Sequence, residues 1–216
     1  MTTHTPCAHE HLAELVAAAR SFAPCVDVAD RWGSTLAELL VGGARLLAAG
    51  NGGSAAQAQH LTAELVGRYR KDRRPFSGIS LCAETSSLTA IGNDYPPEEL
   101  FARQVEAHGR PGDVLVLMST SGASPNIVEA ARRGRQLGLT VWALTGPRPN
   151  ALAQQADESL CVDAGYTATV QELHLVALHI VCAALDRALG VAPARPGGPL
   201  ETRSVPDPLE NARRSA

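Results

Sequence analysis

The sequence predicts an α/β fold with a parallel β-sheet covered on both faces by helices. Three observations carry this expectation. From about residue 44 onward, short apolar runs alternate with stretches of helical spacing, the mark of βαβ units. Several of these runs end in turns rich in glycine and serine, the usual strand-to-helix punctuation. The chain has 216 residues, 45% apolar and 19% charged, which is enough to bury a core without disulfide or metal staples.

The elements follow in order. Residues 9–23 place Leu12, Leu15, Val16, Ala19 and Phe22 at helical spacing. A second helix is expected over 26–41, with Val28, Leu36, Leu39 and Leu40 on its buried side and Gly42-Gly43 ending it. Strands are expected at 44–49, 79–82, 114–118, 140–144 and 159–162. Helices are expected at 54–68, 96–109, 125–137, 149–156 and 169–189, the last apolar over most of its surface. The unit spans 9–190, with a flexible start at 1–8. The stretch 191–216 carries five prolines and reads as a disordered tail.

Composition excludes several function classes. The net charge of −3 leaves no basic field for coating nucleic acid. No uninterrupted apolar run reaches the ~18 residues of a membrane span, and MTTHTPCAHEHL lacks a secretion pattern, so the expected compartment is the cytoplasm. The five cysteines contain no Cys-x-x-Cys pair and are expected to be reduced, with Cys82, Cys161 and Cys182 buried.

Two strand-to-helix junctions could hold an anion. One is Gly50-Asn51-Gly52-Gly53-Ser54; the other is Ser119-Thr120-Ser121-Gly122-Ala123-Ser124-Pro125. Glycine admits close backbone approach, helix N-termini favour negative charge, and hydroxyls add donors. Pro125 suits a first helical position with Ser124 as cap. Each loop alone could be an ordinary turn. Two at one sheet edge point to a ligand site, and neither matches a nucleotide fingerprint, so a small phosphorylated metabolite is the better fit.

The acid–base candidates lie on two helices. His60 and Glu64 are four apart and share a face. Gln171, Glu172, His174 and His179 interrupt the apolar final helix, where unpaired polar groups are costly. One reading is a surface pair plus a satisfied core histidine. The other is a carboxylate base beside histidine, with a donor mixture suited to zinc or a similar divalent ion. Lesser candidates are the cluster His4, Cys7, His9 and His11, expected to be a solvated start, and the basic run Arg68–Arg74, expected to be a solvated loop or an aid to an anionic substrate. Asn93-Asp94 is expected in a loop before Pro96-Pro97.

Six segments then occur together in one order: GNGGS, AQH-x-x-x-EL-x-GRY (Ala58–Tyr69), IGND, GDVLVLMSTSG-x-S, WALTG and QE-x-H-x-x-x-x-H (Gln171–His179). In these the chain resembles the sugar-isomerase (SIS) domain family, specifically its sedoheptulose-7-phosphate (phosphoheptose) isomerases, over about residues 10–188. The resemblance implies a three-layer αβα sandwich around a five-stranded parallel sheet, with N-terminal helices for oligomerisation. It implies a homotetramer with active sites at subunit interfaces. It implies an aldose–ketose isomerisation through an enediol, the first step toward nucleotide-activated heptose. Ser54, Ser119, Thr120, Ser121 and Ser124 would hold the phosphate, with Asn51, Gly52 and Gly53 beside them, while Arg68, Asn93, Asp94 and Gln171 would line the substrate pocket. Glu64 would be the base and His179 its acid partner. His60, Glu64, Gln171 and His179 would hold one zinc per subunit. Where many relatives carry arginine, and some aspartate, just before the Gln-Glu pair, this chain has Thr169 and Ala168. Rival readings are a phosphosugar-binding regulator of this fold without catalysis, including replication-initiator-binding relatives, and an isomerase of another phosphosugar. Glu64 and His179 together favour an enzyme.

Overall fold

The computed structural model describes residues 8–191. His4, Cys7 and the stretch 192–216 lie outside it, so the expectations placed on them have no structural counterpart here. The elements are α1 (Ala8–Ser21), α2 (Ala23–Val41), β1 (Leu46–Gly50), α3 (Gly53–Val66), β2 (Gly78–Ser80), α4 (Thr85–Asp94), α5 (Glu99–His108), β3 (Val114–Ser119), α6 (Pro125–Gln136), β4 (Thr140–Thr145), α7 (Ala151–Gln155), β5 (Glu158–Cys161) and α8 (Thr167–Ala188).

The five strands are all parallel in the order β2-β1-β3-β4-β5. Two-residue alternation sends their apolar side chains to opposite faces. Leu46, Ala48, Val114, Val116, Met118, Trp142 and Leu144 pack under α2, α3 and α8. Leu47, Ala49, Leu115, Leu117, Val141 and Ala143 pack under α5, α6 and α7. With both faces covered, the expected runs of apolar residues are explained. The chain order reverses between β1 and β3, so the loops after these two strands flank the switch point where open α/β sheets take ligands.

Each expected strand is present within about two residues, a common boundary uncertainty. Three corrections concern helices. Asn93 and Asp94, expected in a loop, are the last residues of α4, a helix for which no segment was expected. Ser, Thr and Gly make its sequence a poor intrinsic helix, and it buries no residue, so it shows no apolar period. The Glu84 carboxylate initiates it by accepting from Ser86 and Ser87 N–H. The helix expected from 96 therefore starts at Glu99. α8, expected to be apolar and buried, is long and apolar enough to cross a membrane, yet it sets Leu173, Ala177, Leu178, Val181 and Leu185 in the core against α2 and the sheet. On α2, Trp32 and Ala29 take the buried face with Leu36 and Leu40, while Val28 and Leu39 are only half-buried. Trp32 stacks on Trp142 of β4, centroids 4.7 Å apart.

Candidate active site

The two loops expected to bind an anion share one edge of the sheet. After β1, Gly52 takes φ +56°, a region that favours glycine. Ser54, buried, opens α3 by donating its N–H to the Asn51 carbonyl at 3.0 Å. After β3, the Ser119 and Ser124 hydroxyls lie 3.1 Å apart, and Ser121 Oγ accepts from Ala123 N–H at 3.2 Å. Pro125 stands at the first helical position of α6, as expected. Ser124 occupies the cap position, but its hydroxyl faces Ser119 and caps nothing, which corrects the simple capping role. Asn51 and Asn126 exchange reciprocal side-chain hydrogen bonds of 2.9 and 3.0 Å and tie the loops together. Asn126 was not legible as a site residue; its one signal is its place immediately after Pro125.

The second group forms where α3 meets α8. His60 Nε2 lies 3.1 Å from His179 Nε2, 119 residues away in sequence, and 3.4 Å from Glu64 Oε1. The Glu64 side chain is 18% exposed, and its Oε2 is buried without a partner. Burial, and then the neighbouring His60, push the His179 imidazole below the usual histidine range, against a smaller opposing pull from Glu64. The Tyr69 ring leans on His179 at 5.6 Å, a contact the sequence did not disclose. Gln171, near the start of α8, lies against the first loop. A Cβ on Gly53 would fall 2.7 Å from its carboxamide, so glycine there is what lets Gln171 lie across the first loop. Gln57 Nε2 holds the Gln171 carbonyl at 2.6 Å.

His174 takes the bland reading. It is fully buried, donates Nε2–H to the Thr145 carbonyl at 3.1 Å, and burial pushes its pKa down to about 4. Thr169 is also fully buried, while Ala168 is exposed.

The remaining candidates divide. Arg68 is exposed and donates to the Arg70 carbonyl at 2.8 Å. Asn93 donates to Asp94 at 2.7 Å, both exposed at the end of α4. All three are exposed and bonded to near neighbours in sequence. His11 is not part of a solvated start, since it lies 2.9 Å from Glu172 on α8. Arg73, in the run read as a solvated loop, is buried. Cys182 is buried as expected, but Cys82 and Cys161 are half-exposed, because both sit at the carboxyl ends of their strands, where core cover runs out.

The donors test the zinc expectation. Donors about 2.1 Å from one tetrahedral ion lie roughly 3.4 Å apart. The His60–His179 and His60–Glu64 spacings match that edge. As the side chains stand, no three His, Cys, Asp or Glu among the described residues close around one point; His60 bridges the other two. Two imidazole nitrogens and a carboxylate with one buried, unpartnered oxygen make a set that fits such an ion.

Comparison with known proteins shows the family. The SIS domain family matches residues 27–146. A Streptomyces coelicolor protein named phosphoheptose isomerase is 64% identical over 189 residues, covering 88% of this chain and 81% of its own. The structure of a phosphoheptose isomerase from Neisseria gonorrhoeae superposes with a TM-score of 0.76 at 37% identity, over 82% of this chain and 95% of that one. One from Francisella tularensis gives 0.78 at 31%, over 83% and 96%.

Proposed function

The chain belongs to the SIS-domain family, in its phosphoheptose isomerase branch, and from that premise we propose how its residues interconvert sedoheptulose 7-phosphate and D-glycero-D-manno-heptose 7-phosphate. The observation that carries the assignment of roles is the meeting of His60 and Glu64 with His179, beside two serine-rich loops that share one sheet edge.

The loops take the phosphate. Ser54, Ser119, Thr120, Ser121 and Ser124 supply hydroxyls, and the start of α3 adds backbone N–H groups at the positive end of a helix. Glu64 stands ten residues after Ser54 on α3, about 15 Å along the axis at 1.5 Å per residue, less the lean of side chains toward the helix N-terminus. That separation suits an extended sugar whose phosphate and reacting carbonyl lie at opposite ends of seven carbons.

The chemistry moves one proton between neighbouring carbons. The Glu64 carboxylate removes it from the carbon beside the ketose carbonyl, an enediol forms, and the same carboxyl returns it to the adjacent carbon. His179, the acid partner, gives a proton to the carbonyl oxygen as the enediol forms and takes one back from the neighbouring hydroxyl as the new carbonyl forms. Gln171 orients the sugar hydroxyls from the start of α8. His60, Glu64, Gln171 and His179 would hold zinc, one per subunit, which when bound supplies Lewis-acid polarisation of the carbonyl. The protein acts in the cytoplasm as a homotetramer with active sites at subunit interfaces. The exposed Leu12 and Val16 on α1 and Leu175 and Val176 on α8 are apolar surface that suits another copy.

Proton NMR in D2O, with sedoheptulose 7-phosphate and protein stripped by chelator, tests the proposal. Expected are new aldose signals, deuterium at the transferred carbon, and restoration of rate by zinc. Aldose formation indifferent to zinc would remove the metal and keep the enzyme. Phosphosugar binding without turnover would favour the regulator instead.

A further inference from the structure

We propose that Arg73 is a positioning residue, a clamp that fixes the end of α3 carrying Glu64 against α8 carrying His179. The proposal rests on the isomerase reading and assigns a role to a residue outside its catalytic set.

Arg73 sits in a run of five cations among seven residues, Arg68–Arg74, where exposure is the ordinary outcome. Its side chain is only 5% exposed, and that of its partner Asp186 only 9%. Nearly every donor of the guanidinium is used. Nε donates to Asp186 Oδ1 at 3.0 Å, Nη2 to the Glu64 carbonyl at 2.6 Å, and Nη1 to the carbonyls of Leu65 and Arg74, both at 3.0 Å.

These acceptors are not arbitrary. The last four carbonyls of a helix lack partners within it, and α3 ends at Val66, so the Glu64 and Leu65 carbonyls are two of them. A cation at a helix C-terminus is also favoured by the helix dipole. Asp186 follows His179 by seven residues, about two turns, and so lies below it on one face of α8. One planar fork therefore ties the backbone of the proposed base to the helix face that presents its acid partner. The Phe76 ring covers the guanidinium at 5.4 Å, and the adjacent Cys182 thiol, pushed up to about 12 by burial, shows how dry this region is. Lysine carries a single ammonium and cannot reach two carbonyls and a carboxylate in this geometry. The anion loops stand at the other end of α3, so loss of the clamp disturbs the proton-transfer geometry more than phosphate binding.

The test compares R73K and D186N in the full-length protein, assayed with sedoheptulose 7-phosphate and normalised to folded protein by circular dichroism. Arg45–Asp113, a second partly buried pair at the amino ends of β1 and β3, supplies the control variant R45K. The expected result is a kcat lowered about 10–100-fold in R73K and D186N, as for small misplacements of catalytic groups, with KM changed less than about threefold. R45K should lower Tm while kcat stays at the unmodified value. If R73K does not fold, D186N decides alone, since it keeps the arginine's bonds to the α3 carbonyls and removes only the carboxylate charge. Tm loss with unchanged kcat in the clamp variants, matching R45K, overturns the proposal, as does a KM that rises in step with the fall in kcat. Absence of turnover in the unmodified protein would refute the isomerase reading itself, a result distinct from failure of the clamp.

Discussion

The loop after β3 and the seam between α3 and α8 solve opposite problems. The loop is one contiguous stretch whose polar groups satisfy each other: Ser119 pairs with Ser124, and Ser121 with the Ala123 N–H. The seam joins helices more than a hundred residues apart. All the buried side-chain atoms without a partner among the described residues lie on these two helices: Gln57 Oε1, Glu64 Oε2, Thr169 Oγ1, Glu172 Oε2 and His174 Nδ1. Each costs about 1–3 kcal/mol if left unbonded. The difference teaches where chemistry is concentrated. The loop is internally satisfied, whereas the seam brings His60 to Glu64 and His179 and leaves one Glu64 oxygen buried without a partner.

Substitutions in the seam should therefore act on kcat and those in the loop on KM. The largest expected effect is Glu64→Gln, which removes the base while keeping its shape and should lower kcat about 10³–10⁴-fold with substrate binding changed only a few-fold. Full activity in this variant would sink the assignment. His179→Ala should lower kcat by about 10²-fold and reduce zinc by elemental analysis; an unchanged zinc content would take His179 out of the ligand set.

The buried core histidine of α8, outside the seam, should show in pH dependence. His174 has a folded pKa of about 4 against an ordinary value of 6.5. As pH falls, the unfolded chain binds the proton first. Stability is therefore complete above about 6.5 and is lost between there and about 4, on the order of 2–3 kcal/mol for this group. Denaturant unfolding across that window measures it, and His174→Phe should flatten the slope. A slope that persists in the variant would assign it to other groups.

Loop variants should sharpen the contrast. Ser121→Ala and Ser124→Ala each remove one donor to the phosphate and should raise KM about tenfold, with kcat within threefold. A kcat effect as large as the KM effect would break the division between the two regions. Asn126→Ala, which loses an exposed amide pair with Asn51, should matter least, by a few tenths of a kcal/mol, read as a KM change of about twofold or less.

Legibility in the sequence followed the same division. Val114–Ser119 and the loop after it could be read directly, because an apolar run followed by small residues is decided within a dozen positions. α4 could not, since it has no buried face to leave a period. His60, Glu64 and His179 were recognisable as residue types, but spacing within each helix carries no information on whether two helices touch. Arg73 and His11 were read as solvated because charge and terminal position are averages over local surroundings, and Asp186 and Glu172 are more than a hundred residues away.

The sequence by itself determined the alternation of strands and helices, the sheet edge that holds the two serine-rich loops, and the family. Those follow from periodicity, turn chemistry and motifs, which are local or ordered along the chain. Only the tertiary structure decided which histidine faces the carboxylate and which is core, and that a basic run contains an arginine whose side chain is buried in an ion pair. Such facts depend on what lies across a packed interface, where desolvation and hydrogen-bond partners set the role of a polar side chain.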